Sequence, residues 1–545
     1  MLLLDIKPLH SRGACLQDLI ATASGHRNLS NELMYSEAWG FSFRLPEPDA
    51  AYIIGYGLEP DYETCLHDLD RYQGIEVLSQ KAESSAAVLT HIEKNLQDGT
   101  PVIIYLDSFW TTYLGSSRVN HHDHYVLVVG IDREANVLYC VDPPVSKKTE
   151  LLPITDFLEG NDGTFASFRF HSNIQEFDAI AWTSRLRDKL WPSGRENIFD
   201  AIHRFADAIA DDKFDMRAEV ALSAGEGIWM SPLVWGLINV SSGRKSIGIA
   251  ASYIGERFAQ PRFKQLSNQL EAAAQEWDSI RASLLKLNYM KVIPKGFKEK
   301  IVDQLRQLAE DERSMAAALI KDILGENVSE SDEERVMSMP LSYELIPAAQ
   351  SDVLDDWLRL KALPVQLAEW CNNNGVGYLR SSASLTCMDD SEHFLLEEGQ
   401  EGRFWSDEAF REFLMNEPSR GKDDNVSCFG QRIEFEPDFY AGAVFIGCSE
   451  WGSFEETLTI HYQDGSSQQA SIAFTDWQAE TPAYGERIIW QGRTARYFRT
   501  NDYFGEGRKL YQRALVFEPR KKVSSIELPI CPNIHLFACN LYLSE

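Results

Sequence analysis

The 545-residue chain holds nine cysteines but no C-x-x-C pair, and their odd, scattered placement offers neither a zinc knuckle nor a secreted disulfide framework. Most of these thiols are expected to be reduced and buried. Basic residues are scarce: 52 Lys and Arg against 82 Asp and Glu leave a net charge of −30. That balance repels nucleic acid over most of the surface and favours an approaching cation or polyamine. No apolar run approaches the roughly 20 residues that span a bilayer. The start "MLLLDIKPLHSRG" meets Asp5 at once and lacks the basic leader and long apolar region of a signal. A soluble, cytoplasmic chain without membrane or nucleic-acid partners is expected. Phosphate loops are missing too, since neither G-x-x-x-x-G-K-[ST] nor a helix-opening G-x-G-x-x-G occurs, and the H-E-x-x-H spacing of a metalloprotease helix is absent. No cofactor or metal is expected.

What is present is a globular composition, with 44% hydrophobic residues and 13 Trp, in a chain long enough for two to four domains. Residues 1–180 alternate short helical patterns with the apolar strands "PVIIYLD", "HYVLVVGID" and "VLYCVD", an α+β pattern. From 181 to 325 the period becomes helical: Ile198, Phe199, Ile202, Phe205 and Ile209 share a face, as do Phe263, Leu266, Leu270, Ala274, Trp277, Ile280 and Leu284. An acidic linker is expected over 326–339, beginning at "ENVSESDEERV". Residues 340–545 then form the last domain. From about residue 425 it is rich in alternating strands, with Asp464-Gly465 as a hairpin turn, and reads as an antiparallel β-sandwich.

The stretch "NHHDHYVLVVGID" crowds three histidines and an aspartate before a strand. A metal site on His121, Asp123 and His124 is one reading, but strand alternation sends His122 and His124 to the face opposite His121 and Asp123. The alternative is a solvated strand entrance. His124 stands apart because the hairpin that follows returns as "VLYCVDPP" and brings Asp142 opposite or diagonal to it, within roughly 4.5 to 8 Å between Cβ atoms. A carboxylate there can fix one imidazole nitrogen and leave the other as a base. Near the N-terminus, "SRGACLQDLIATAS" offers Ser11 and Gly13 as helix start signals, a stripe of Leu16, Leu19, Ile20 and Ala23, and Cys15 in the first turn. The positive end of the helix and its unpaired N–H groups favour a thiolate and supply oxyanion donors. A lone cysteine is more often a small buried hydrophobe. The order Cys15, His124, Asp142 is that of papain-like cysteine enzymes.

The segments "GACLQDLIATASGHRNLSNELMYSEAWGFSFRL", "DGTPVIIYLDSFWTTYLG" and "NHHDHYVLVVGIDREANVLYCVDPP" resemble the N-terminal domain of the butirosin biosynthesis protein H family. The stretch "MSPLVWGLINVSSGRKSIGIAASYIGERF" is similar to its accompanying helical domain. Together they cover about the first 300 residues. The resemblance implies a papain-like, C39-like cysteine domain that moves an acyl group from an acyl carrier protein thioester to an amine-bearing acceptor. It assigns Cys15 as nucleophile, His124 as base and Asp142 as orienter. Asp107, at the end of "PVIIYLD", falls where the family keeps an acidic residue and could hold the acceptor's ammonium; it could equally cap the next turn. Papain-like proteases place a glutamine before the nucleophile, and "PLHSRGAC" has none, which counts against a peptidase. The C-terminal segments, including "WCNNNGVGYL" and "VSSIELPICPNIHLFACNLYL", resemble β-sandwich modules that accompany bacterial glycoside hydrolases, which implies a carbohydrate-binding-like jelly roll over about residues 340–545. Trp451, Phe454, Trp477 and Trp490 could there form a sugar platform, although core packing is the commoner role. An acceptor, a carrier domain or a second copy of the chain are its candidate partners.

An amide-forming cysteine acyltransferase of antibiotic or other natural-product biosynthesis is thus the leading expectation. A hydrolase or cyclising thioesterase would use the same triad, and a non-catalytic binding scaffold would leave it idle. A carrier protein, being acidic, would need a basic patch, for which Arg244 and Lys245 of "SSGRKS" are candidates if that stretch is not simply a solvated turn.

Overall fold

The computed structural model describes residues 1–9, 15–48, 50–60, 64–114, 117–223, 228–290, 293–326, 357, 360–381, 383–385, 392–396, 413–416, 422–498 and 501–544. The start signals Ser11 and Gly13, and the acidic linker beyond residue 326, lie outside them.

The first 170 residues form a mixed α/β unit. Its strands are β1 (Leu2–Leu3), β2 (Ser42–Phe43), β3 (Leu58–Glu59), β4 (Ile75–Lys81), β5 (Val102–Asp107), β6 (Asp123–Asp132), β7 (Val137–Val141), β8 (Glu150–Pro153) and β9 (Thr164–Phe170). Its helices are α1 (Cys15–His26), α2 (Leu66–Gln73), α3 (Ser85–Gln97) and α4 (Ile154–Gly160). The main sheet runs β4-β9-β5-β6-β7-β8, with β1 added against the end of β6. Its central strands are apolar on both faces because both are covered. Ile103, Leu127, Val129 and Val141 pack with Leu19, Ile20 and Ala23 of α1. Val102, Ile104, Leu106, Val126 and Val128 pack instead with Val88, Leu89 and Ile92 of α3 and Phe157 of α4. Gly130 is required where β1 crosses β6, since a Cβ there would lie 2.7 Å from Leu3 Cδ1 and 2.8 Å from Leu2 O.

Six helices follow: α5 (Ala179–Leu190), α6 (Ile198–Ala210), α7 (Met216–Ala221), α8 (Pro232–Arg257), α9 (Pro261–Tyr289) and α10 (Phe297–Leu324). The stripes expected on α6 and α9 are buried, and they join one core with α1 and the near face of the sheet. The stretch "SSGRKS" is neither a turn nor a basic patch: it lies inside α8. Arg244 is fully buried, bound through Nε and Nη2 to Glu312 of α10 and through Nη1 to Gly40 O at 2.6 Å. Glu312 also accepts from the indoles of Trp39 at 2.8 Å and Trp277 at 2.7 Å. One buried carboxylate therefore ties the α/β unit to three helices. Lys245 pairs with Asp278 at 2.7 Å.

The remaining strands are β10 (Ala362–Val365), β11 (Val376–Gly377), β12 (His393–Leu395), β13 (Val426–Phe429), β14 (Arg432–Asp438), β15 (Tyr440–Ser449), β16 (Phe454–Tyr462), β17 (Ser467–Phe474), β18 (Arg487–Phe498), β19 (Asn501–Val516), β20 (Val523–Glu527) and β21 (Ile530–Leu543). They make two sheets, β10-β21-β15-β19-β18-β12-β11 with β13 on β21, and β14-β20-β16-β17. All pairs are antiparallel except β11 with β12. Both sheets feed one core. The β16–β17 hairpin turns at Asp464-Gly465, where Gly465 has φ +85 and Asp464 Oδ1 accepts from Ser466 N. Trp477 and Phe454 are buried in that core, so they cannot serve as a sugar platform. Trp490 packs against Phe394, and Trp451 against Trp229 at 5.0 Å between centroids. The β region meets the helices through a buried ion pair, Lys286 of α9 with Glu450, which also receives His535 Nε2 at 3.3 Å.

Candidate active site

Cys15 is the first residue of α1, so its sulfur sits at the helical end where backbone N–H groups have no partners within the helix. The helix packs its Leu19–Ile20–Ala23 face on the sheet and thereby sets Cys15 beside the start of β6. Cys15 Sγ lies 4.0 Å from His124 Nδ1 and 3.3 Å from the carbonyl of Tyr125. Register supplies the third group. β6 and β7 pair Leu127 with Val141 and Val128 with Cys140, so Asp142 emerges just past the strand end, diagonal to His124. His124 Nε2 and Asp142 Oδ2 are 2.7 Å apart, with 14% and 0% side-chain exposure.

These distances assign the tautomer: Nε2–H donates to Asp142, and the Nδ1 lone pair faces the thiol. Burial opposes a charged imidazolium. The bonds and charges of Asp142 and Cys15 outweigh it and raise the His124 pKa from 6.5 to about 9. With the proton on sulfur, the thiol donates to Tyr125 O. A thiolate cannot, so proton transfer moves the favourable contact to the imidazolium. Among the eight described cysteines, Cys15 is the one whose sulfur faces an imidazole. Burial pushes the Cys65 thiol up to about 11 and the Cys371 thiol up to about 12.

The other members of "NHHDH" go to separate partners. Asp107 and Asp123 face each other across β5 and β6. Asp123 Oδ1 accepts from Tyr105 OH at 2.9 Å. Asp107 Oδ1 accepts from Phe109 N at 3.0 Å, capping the turn after β5, and Oδ2 meets His121 Nδ1 at 2.6 Å. Burial works to raise the Asp107 pKa, but His121 and the Phe109 N–H hold it below the usual carboxylate value. Its oxygens are thus already engaged within the chain, and its side chain is 23% exposed. The His121 ring is stacked on Phe109 with centroids 4.4 Å apart. Among the described residues no group of three or more His, Cys, Asp or Glu is arranged to hold a metal ion. Gln17 is turned to Thr64, whose hydroxyl accepts its amide at 2.7 Å.

Two partners of the site carried no signal in the sequence. The Tyr125 carbonyl is backbone and has no residue type to read. Tyr113 lies in the loop after β5, and its hydroxyl faces the Asp142 carboxylate, whose proximity adds to burial in raising the phenol's pKa.

No curated protein matches the chain. Residues 10–143, about a quarter of its length, match the family described as butirosin biosynthesis protein H, N-terminal. That span contains Cys15, Asp107, His124 and Asp142.

Proposed function

Starting from the match of residues 10–143 to the butirosin biosynthesis protein H N-terminal family, we propose that the protein is an amide-forming cysteine acyltransferase of natural-product biosynthesis. The observation that carries this reading is the line Cys15 Sγ, His124 Nδ1, His124 Nε2, Asp142 Oδ2, with its 4.0 and 2.7 Å separations. His124 takes the Cys15 proton, and the thiolate adds to the carbonyl carbon of an acyl thioester held on an acyl carrier protein. The unpaired N–H groups at the start of α1 face the resulting oxyanion. Collapse breaks the carrier C–S bond, His124 returns its proton to the leaving thiolate, and an acyl-Cys15 thioester remains. An amine then attacks that carbonyl while His124 Nδ1 removes its proton. The second collapse forms the amide and expels Cys15.

Asp142 keeps the imidazole oriented and balances the charge that His124 acquires in each half-reaction. The acidic chain suits a cationic amine acceptor. Because Asp107 has both oxygens occupied, its part in this reading is to supply negative charge toward the ammonium, with His121 as the movable partner. Arg244 is buried and cannot meet an acidic carrier protein, so another surface must do so.

The test is to incubate the protein and a Cys15→Ala variant with acyl-loaded carrier protein and an amine mixture, following protein and product masses. Acyl transfer predicts an adduct on the wild type alone and an amide product. Free acid in the presence of amine would make the enzyme a hydrolase. Activity surviving Cys15→Ala would overturn the mechanism.

A further inference from the structure

Asp142 is fully buried, and only one of its oxygens is used by His124: Oδ1 has no hydrogen-bond partner of good geometry. A buried carboxylate oxygen left bare is costly. The buried Tyr113 hydroxyl is equally bare, and it faces Asp142. We propose that Tyr113 is the positioning residue of the site, donating its hydroxyl to Asp142 Oδ1 so that Oδ2 stays aimed at His124. The proposal rests on the triad above and goes one group beyond it.

The loop holding Tyr113 is built to keep it there. Asp107 caps its first turn, Ser108 N donates to His122 O at 2.9 Å beside the strand that carries His124, and Arg118 N donates to Phe109 O at 2.9 Å, which closes the loop on itself. Arg118 lies 4.2 Å over the Trp110 ring and binds Asp156 at 2.5 Å. Trp110 rests against Gly160, where a Cβ would come within 2.6 Å of its own Cβ. The Tyr113 ring packs against the buried cluster that includes Leu106, Val126 and Cys140. Its hydroxyl is also within electrostatic range of Cys140 on β7 and Glu150 on β8, while His124 is faced by Asp142 and Cys15. Asp142 is the one of these that the phenol can hydrogen-bond. Two bonds from opposite sides hold a carboxylate in plane, and sharing its charge with Tyr113 moderates its pull on the imidazolium.

The experiment is the rate of Cys15 alkylation by iodoacetate against pH, quantified on the Cys15 peptide. The anionic reagent is drawn by the thiolate–imidazolium pair, so the rate falls as His124 loses its proton near pH 9. Removing the hydroxyl in Tyr113→Phe is expected to lower the plateau rate severalfold. It also moves the alkaline limb up by about half a pH unit, because the carboxylate charge then falls on His124 alone. A profile superimposable on the wild type overturns the proposal. Tyr113→Leu controls for packing: a loss confined to Leu, with Phe unchanged, makes the ring a filler and also overturns it. No acyl donor enters this assay, so its outcome is independent of whether the enzyme transfers or hydrolyses. A wild-type alkaline limb that persists unchanged in Asp142→Asn would refute the triad itself.

Discussion

Replacing Asp142 by asparagine gives the sharpest test of the site, because two opposing effects on His124 are then separated. In the native protein burial disfavours the imidazolium, while Asp142 and Cys15 favour it, and the balance is a rise from 6.5 to about 9. At about 1.4 kcal/mol per unit, this is about 3 kcal/mol of stability linked to the His124 proton. The sign follows from the raised value: the contribution is present in full below pH 6.5 and is lost as pH climbs through about 9. The amide keeps the shape of the carboxylate but removes its charge. Burial is then opposed by Cys15 alone, and the His124 midpoint is expected to fall well below 9. The linked stability shrinks with it, because the folded and unfolded midpoints draw together. The assay is NMR of 13Cε1-labelled histidine, with the His124 signal assigned by its loss in His124→Gln, beside urea unfolding at pH 6 and 9. An Asp142→Asn variant whose His124 still titrates near 9 would refute the reasoning, since the shift would then owe nothing to the carboxylate.

Three further outcomes follow from the packing. Glu312→Ala leaves Arg244, which is 0% exposed, without its partner and strands two indole N–H donors. It should destabilise the protein by about 3–5 kcal/mol in urea titration, with tryptophan emission shifting as Trp39 and Trp277 lose their acceptor. The Arg244→Met, Glu312→Leu pair is expected to regain much of that loss. Lys286→Met removes the cation that faces Glu450, which is 0% exposed, and should loosen the β region from α9; limited proteolysis before and after substitution would show it, and an unchanged digest would count against the contact. Gly160→Ala drives a methyl into Trp110 and Leu106, so the turn that carries Trp110 must shift. Slower Cys15 alkylation with little change in the circular dichroism is the expected result.

Much of the site could be read from local chemistry. The period of "LQDLIATA" made a helix with Cys15 at its start, and the strands either side of "DREAN" constrained the hairpin enough to bring Asp142 near His124. A period-two strand and a short turn define their own register, so that pair needed no distant information. The "SSGRKS" stretch misled for the opposite reason. Three serines, a glycine and two cations have turn-like composition, but packing against α9 carries the helix through them, and Glu312 of α10 makes a buried arginine tolerable. The aromatics of the β region were ambiguous for a related reason: Trp477 and Trp490 are alike in sequence, and only the packing of both sheets on one core buries Trp477.

The sequence by itself determined the helical and strand periods, the acidic surface and the order Cys, His, Asp, because each is a property of residues near one another along the chain. Tertiary structure alone decided that Cys15, 109 residues from His124, meets it at 4.0 Å, and which of the imidazole nitrogens it meets. It alone turned His121 away to Asp107 and aimed Tyr113 at Asp142. Such contacts depend on how a helix face and a loop seat on a sheet, and the hydrophobic effect that drives the seating is non-directional. Their geometry is set by the whole packed core, which no local stretch of sequence contains.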